Sequence, residues 1–183
     1  MAFGQSFEAV LDAAKLGSRW AWAAIYREIA GPVTGFLRVR GVADPEDATA
    51  DVFFEISRSI EGFTGQEDSF HAFVFAIAHE RMVQDRHSVR PPRSRLADRV
   101  LDRVKRDADV GPDTNSDADE AVRHSFEVLN QDQRDVLALR VVAGLSIEQT
   151  AKVKNCGTDT VKRLQRRAMA KARVIMPPEV AIR

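Results

Sequence analysis

The 183-residue sequence contains a single cysteine, Cys156. One thiol can neither close an internal disulfide nor form the paired cysteines of a structural zinc site, and such usage fits a reducing, cytoplasmic setting. No apolar run approaches the roughly 20 residues that span a bilayer. The N-terminus lacks the basic stretch and apolar core of a secretory signal. Membrane insertion is therefore not expected. Aromatic residues are scarce at 7%, against 30% charged residues, yet the 44% apolar fraction can still fill a core. The first half shows no sustained two-residue alternation and no Asn-Gly or Asp-Gly hairpin turn. What is left is helical periodicity, so the expected class is all-α.

Catalytic signatures are missing as well. His79-Glu80 opens like the zinc-protease pattern HExxH, but Val83 stands at the second histidine position, so one ligand is absent. His71, His79 and His87 are eight residues apart, a spacing that drifts about 80° around a helix per step; they read as surface or DNA-proximal residues. There is no glycine-rich phosphate cradle and no GxSxG elbow. No enzyme activity, cofactor or metal is expected.

The formal net charge of zero conceals an asymmetry. Residues 1–87 hold 8 Lys/Arg and 13 Asp/Glu, a balance of −5; residues 88–120 hold 7 and 8, a balance of −1; residues 121–183 hold 12 and 6, a balance of +6. Only the last third has the footprint of a phosphate-binding surface. The first half suits a basic partner.

In chain order, Phe3, Phe7, Val10, Leu11 and Ala14 predict a short helix over residues 3–16, ended by Gly17. Ser18 can cap a second helix from Arg19 to about Arg40, with Gly31-Pro32 expected to kink it. Asp44-Pro45-Glu46-Asp47 is a helix start: a cap, a proline in the first turn and acids at the positive end of the dipole. Spacing places Phe53 in the core and leaves Phe54 as core or contact. After a loop carrying Phe63, Asp68 or Ser69 would cap a fourth helix from Phe70 to about His87. Residues 91–118 read as a linker containing one short helical patch around Leu96, Val100, Leu101 and Val104. A second domain covers residues 119–176, with Asn130 capping a helix through Val142; residues 177–183 form a tail. The expected architecture is two small helical domains, residues 1–90 and 119–176, joined by a flexible linker.

The stretch GLSIEQTAKVKNCGTDTVKRLQRRAMAKAR, residues 144–173, organises the second domain. Ser146 and Gln149 have capping-box spacing. Asn155-Cys156-Gly157 breaks the first helix. In the second, Val161, Leu164, Ala168 and Ala172 share one side, and Lys162, Arg163, Arg166, Arg167 and Lys171 the other. A cationic second helix after a short turn is a helix-turn-helix suited to the DNA major groove; a merely solvated basic face is the bland reading.

Together these motifs resemble the extracytoplasmic-function (ECF, group IV) sigma factors of the sigma-70 family. LNQDQRDVLALRVVAGLSIEQTA and TVKRLQRRAMAKAR are similar to that family's helix-turn-helix region. DPEDATADVFFEI resembles its acidic polymerase-docking helix, and FHAFVFAIAHERMVQDR its −10-reading helix. The resemblance implies a four-helix sigma-2-like domain and a sigma-4-like domain. It implies core RNA polymerase as partner, through the β′ clamp helices and β flap, together with promoter DNA and an anti-sigma factor. On this reading Asp44, Glu46, Asp47, Asp51 and Glu55 face polymerase. Phe63 stacks on an extruded −10 base or simply anchors its loop, while Arg81, Arg86, Arg90, Arg93 and Arg95 follow the opened strand. Thr158, Asp159, Thr160, Lys162, Arg163, Arg166, Arg167 and Lys171 face the −35 element, with Arg163 and Arg167 assigned to bases and Lys162 and Lys171 to phosphates.

The sequence departs from the family pattern in three places. Phe73 replaces a usual tryptophan, Glu80 and Gln84 replace a common asparagine and aspartate, and Leu164 comes one position early. A stand-alone helix-turn-helix regulator, dimeric on paired half-sites, is the alternative; it accounts for residues 120–174 but not for the acidic helix.

Overall fold

The computed structural model describes residues 7–85 and 128–175. These are helical, with no strand among them. Helices α1 (Phe7–Lys15), α2 (Arg19–Val39), α3 (Pro45–Ser59) and α4 (Glu67–Asp85) make a first unit. A second unit holds α5 (Gln131–Leu137), running on into a π-helical turn over Ala138–Val142, then α6 (Ile147–Val153) and α7 (Thr158–Ile175). The expected linker helix, the tail and residues 119–127 lie outside the described residues. Among the described residues no helix is long and apolar enough to cross a membrane.

Local sequence explains most boundaries. Phe7, Val10, Leu11 and Ala14 bury one stripe of α1, and Gly17 leaves the helix at φ 75, a conformation that costs glycine nothing. Asp44 Oδ1 accepts from Asp47 N at 2.8 Å, and Pro45 follows it. Asn130 forms a capping box with Gln133.

Two boundaries differ from expectation. Ser18 occupies the cap position of α2, but its side chain makes no capping bond. Helix α2 continues through Gly31-Pro32 without a break in its assignment, flanked by Ile29, Ala30 and Val33, all buried; tertiary packing offsets the local cost of proline. Helix α4 begins before Asp68 and Ser69, because Phe70 N donates to the carbonyl of Gln66 at 3.0 Å. Glu67 and Asp68 thus fall in the first turn, where the helix dipole favours acids.

The core is shared between the units. One apolar cluster joins Ile25, Phe36, Ile56, Phe70 and Phe75 of the first unit to Leu137, Leu139, Leu145 and Ala168 of the second. Phe36 and Phe75 meet edge to face at 5.7 Å. Each fully buried side chain of this size contributes about 1.5–3 kcal/mol. Gly35 brings α2 against the π-helical turn: a Cβ there would lie 3.5 Å from Val142 Cγ1. A smaller cluster of Val136, Ala151 and Val161, flanked by Ile147, Cys156 and Leu164, holds the second unit together internally.

Candidate nucleic-acid and protein interfaces

The α6–turn–α7 element is built as its sequence dictates. Gln149 N donates to Ser146 Oγ at 3.1 Å, and Ser146 N donates to Gln149 Oε1 at 2.6 Å, closing the capping box. The chain then turns through Asn155 at φ 48. Thr160 N and Val161 N donate to the Gly157 carbonyl and start α7. Val161, Ala168 and Ala172 are buried, which fixes the rotation of α7 and turns Lys162, Arg163, Arg166, Arg167 and Lys171 to solvent. Asp159 is exposed and lies 3.7 Å from Lys162, while Thr158 and Thr160 are half-buried at the helix start. Among the described residues no ion pair neutralises Arg163, Arg166, Arg167 or Lys171. Uncompensated, aligned cations of this kind attract a polyanion. Arg140 braces this helix from behind: its Nε donates to Gln165 Oε1 at 3.2 Å, and its Nη1 donates to the Leu145 carbonyl.

The acidic set lies on and just before α3, and its members are not equivalent. Asp44 is spent on capping. Glu46 accepts from Arg38 at 2.8 Å but keeps 61% of its side chain exposed. Glu55 is half-exposed, 3.9 Å from Arg58, and Asp47 is partly exposed. Asp51 is different: only 17% exposed, it accepts from Arg81 of α4 at 2.8 Å. Two residues that the sequence reading assigned to different interfaces are thus partners across the α3–α4 contact. Phe53 is buried against Tyr26 at 4.8 Å, as its spacing indicates, and half-buried Phe54 lies under the Arg58 guanidinium at 5.8 Å.

Phe63 is half-buried in an aromatic cluster, 5.4 Å from Phe70 and 5.1 Å from Phe73. Gly65 lets this loop close tightly, since a Cβ there would come within 3.2 Å of Phe63 Cζ and 3.1 Å of Ser69 Cβ. Glu80 is exposed and accepts from Gln84 at 3.2 Å. Arg86, Arg90, Arg93 and Arg95 lie outside the described residues.

The sequence reading missed a charged cluster between the units. Asp135 of α5 is buried. Its Oδ1 lies 2.5 Å from Arg40 Nη2, and its Oδ2 lies 3.4 Å from His79 Nε2 and accepts from Lys154 Nζ. Arg40 is fully buried, and His79 is 15% exposed rather than at the surface. Burial alone would raise the Asp135 pKa; the His79 hydrogen bond and the Arg40 and Lys154 charges overrule it and hold the carboxyl well below its usual range. The signal available in the sequence was an aspartate inside the run that becomes the buried side of α5.

Comparison with known proteins agrees with this geometry. Residues 126–173 match the family "Sigma-70, region 4". That stretch takes in α5, α6 and α7 of the second unit. Over 93% of its length the chain is 28% identical to the ECF RNA polymerase sigma factor BldN of Streptomyces coelicolor, spanning 66% of that protein. Over 91% it is 28% identical to the ECF RNA polymerase sigma factor SigD of Mycobacterium tuberculosis, spanning 82% of it. The structure of CnrH in complex with the cytosolic domain of CnrY has the same fold, with TM-score 0.65, 19% identity and coverage of 93% of this chain and 96% of that one. These likenesses support an ECF-type factor of the sigma-70 family. The basic face of α7 lies in the stretch that matches region 4, and the acidic α3 in the unit that precedes it.

Proposed function

We propose that this chain is an alternative sigma factor of the ECF type, group IV, that directs core RNA polymerase to −35 and −10 promoter elements and promotes promoter melting in the cytoplasm. The observation that carries the reading is the division of charge: an acidic α3 on one unit, and on the other an exposed basic face of α7 in the stretch that matches region 4. Glu46, Asp47 and Glu55 dock on a basic polymerase surface, where complementary charge raises association rate and sets register. Arg163 and Arg167 read base edges in the −35 major groove, while Lys162 and Lys171 hold phosphates. Phe63 and Arg86, Arg90, Arg93 and Arg95 meet the opened −10 strand, whereas Arg81 is held by Asp51. Stacking of an unpaired base on an aromatic ring is worth about 1–3 kcal/mol, so binding to the single strand favours melting and no bond chemistry is required. An anti-sigma protein that covers these faces is the expected inhibitor, as CnrY is found in complex with CnrH. The regulator reading is not favoured, because the likeness to sigma factors extends over both units.

Co-elution with bacterial core RNA polymerase on a sizing column tests the proposal. Stoichiometric binding is expected, lost when Asp47 and Glu55 are both changed to Lys. A chain that elutes alone as a dimer and binds duplex DNA without polymerase would overturn it.

A further inference from the structure

Helix α7 lies on its own unit through small side chains. Val161, Ala168 and Ala172 are buried along its inner side, with half-buried Leu164 beside them. This stripe decides which side of the helix faces inward. Its hold on the exact angle is weak, because apolar burial is non-directional and two of the three buried side chains are single methyl groups.

Gln165 is polar but shares that side. Positions 161, 165, 168 and 172 keep the spacing of one helix face, and Gln165 is half-buried there. Leu164 comes one position early against the family pattern, which leaves this glutamine where the leucine would stand. A fitted partner meets it. Arg140 Nε donates to Gln165 Oε1 at 3.2 Å, and Arg140 Nη1 donates to the Leu145 carbonyl. Leu145 immediately precedes Ser146, the cap of α6, and its own N–H donates to the Leu139 carbonyl at 3.0 Å. One guanidinium therefore ties the entry of α6 to the inner side of α7. It projects from the π-helical turn over Ala138–Val142, where Ala143 N donates to the Ala138 carbonyl at 3.0 Å. Such turns are rare and concentrate at functional positions.

We propose that Gln165 and Arg140 are positioning residues for −35 readout: their hydrogen bond sets the rotation of α7, and through it the aim of Arg163 and Arg167. The proposal rests on the sigma-factor reading and deepens it. Gln165 acts from the inward side, without a contact of its own to a base. The leverage follows from helix geometry. A group about 6 Å from the axis moves about 2 Å when the helix turns by about 20°. Paired hydrogen bonds from a guanidinium to a guanine edge do not survive that displacement, since they weaken steeply beyond about 3.2 Å. A phosphate contact made by a lysine on its flexible stem does survive it. Loss of the pair therefore costs discrimination before it costs affinity. A polar contact in an apolar seam adds little net stability, but it disfavours every rotation in which it is unmade.

The test compares Gln165→Leu with Gln165→Glu in the full chain bound to core RNA polymerase. The probes are duplex promoters carrying either a −35 sequence selected from a randomised library or a scrambled one. Gln165→Leu keeps a good helix former and removes the acceptor; Gln165→Ala replaces it should the leucine variant not fold. The ratio of the two affinities is expected to fall about tenfold, with the scrambled affinity and the salt slope unchanged. Gln165→Glu keeps an acceptor for Arg140 and is expected to hold the ratio near wild type. In the free chain, nuclear Overhauser contacts from the Leu164 methyls to Val136 and Ala151 are expected to change in Gln165→Leu and to persist in Gln165→Glu. Arg140→Met also frees the Leu145 carbonyl, so it enters through a double-mutant cycle: adding Gln165→Leu to it is expected to lower discrimination no further. Intact discrimination by a folded Gln165→Leu chain overturns the proposal. So does a loss equal on both sequences with a flatter salt slope, the mark of a phosphate contact. A wild-type chain that shows no −35 preference with polymerase defeats the sigma-factor reading instead. The methyl contacts of the free chain then still decide whether the pair sets the rotation of α7.

Discussion

Arg81 Nη2 of α4 donates to Asp51 Oδ2 of α3 at 2.8 Å, with the two side chains 23% and 17% exposed. The pair is a brace of the first unit. Asp51→Lys places two cations side by side in a half-buried seam and is expected to cost about 2 kcal/mol of stability. Asp47→Lys, in the first turn of the helix and not paired with Arg81, is expected to cost about 1 kcal/mol or less. Urea unfolding of the two variants separates them. For the same reason, a polymerase-binding defect in an Asp51 variant is evidence of docking only if its unfolding midpoint is unchanged.

Helix starts in the second unit depend on side-chain oxygens. Asn130 Oδ1 accepts from Gln133 N at 2.9 Å, and Ser146 Oγ accepts from Gln149 N at 3.1 Å. Asn130→Ala and Ser146→Ala are each expected to lower stability by about 1 kcal/mol. Hydrogen exchange should show the loss of protection confined to the first turns of α5 and α6.

Much of this architecture was legible in the sequence, because helix starts, apolar stripes and surface charge are local signals. The capping boxes at Asn130 and Ser146, the Asp44 start and the orientation of α7 follow from spacing alone. What was not legible is pairwise. Nothing local in Asp51 or Arg81 says that they meet, 30 residues apart. His79 reads as a surface histidine until α5 arrives with Asp135, 56 residues later. Proline offers the converse lesson: Pro32 reads as an interruption, yet buried neighbours on both sides carry α2 through it. Of the candidate sites, the cations assigned to the −35 element share one exposed helix face, whereas the acidic set divides into Glu46, Asp47 and Glu55, at least partly exposed, and Asp44 and Asp51, spent on a cap and an ion pair.

The turn between α6 and α7 is made by an asparagine. Asn155 adopts φ 48, while Gly157 supplies the carbonyl that starts α7 and needs no positive φ. The left-handed conformation costs a side-chain-bearing residue about 1–2 kcal/mol, and asparagine tolerates it better than most. Asn155→Val is expected to lose about that much stability. Asn155→Gly is expected to leave the thermal midpoint close to wild type. The contrast checks that the angle between the two helices is set at position 155.

Asp135 gives a pH prediction with a definite sign. Its folded pKa is depressed relative to the usual 3.8 by the His79 hydrogen bond and the Arg40 and Lys154 charges, which outweigh burial. A depressed carboxylate adds stability that is fully present above the unfolded pKa and is lost as pH falls through the folded one. Lys154 is shared with Asp132 at 3.2 Å, so a second carboxylate faces the same cation. The stability gap between wild type and Asp135→Asn is expected to hold from pH 5 to about 4 and to shrink only in stronger acid. Urea unfolding at a series of pH values measures it. A gap that closes at pH 5 would mean that the cations do not hold the carboxyl ionised.

The basic face of α7 can be divided by what each residue does to sequence dependence. Lys162 and Lys171, if they touch only phosphates, lower affinity for every promoter alike when changed to Ala, and the slope of log affinity against log salt should flatten by about 1 for each. Arg163 and Arg167, assigned to base edges, should each cost about 1–3 kcal/mol on the preferred −35 sequence and less on a scrambled one, so discrimination falls along with affinity. The early Leu164 makes this division informative. It is half-buried beside Val161 in the internal cluster of the domain, and burial of Val161 and Ala168 on the same side fixes which arginines project outward. An Arg163→Ala or Arg167→Ala variant whose discrimination between the two sequences is intact would reassign that residue to the backbone. An unchanged affinity and salt slope for Arg167→Ala would show that α7 meets DNA on a different edge.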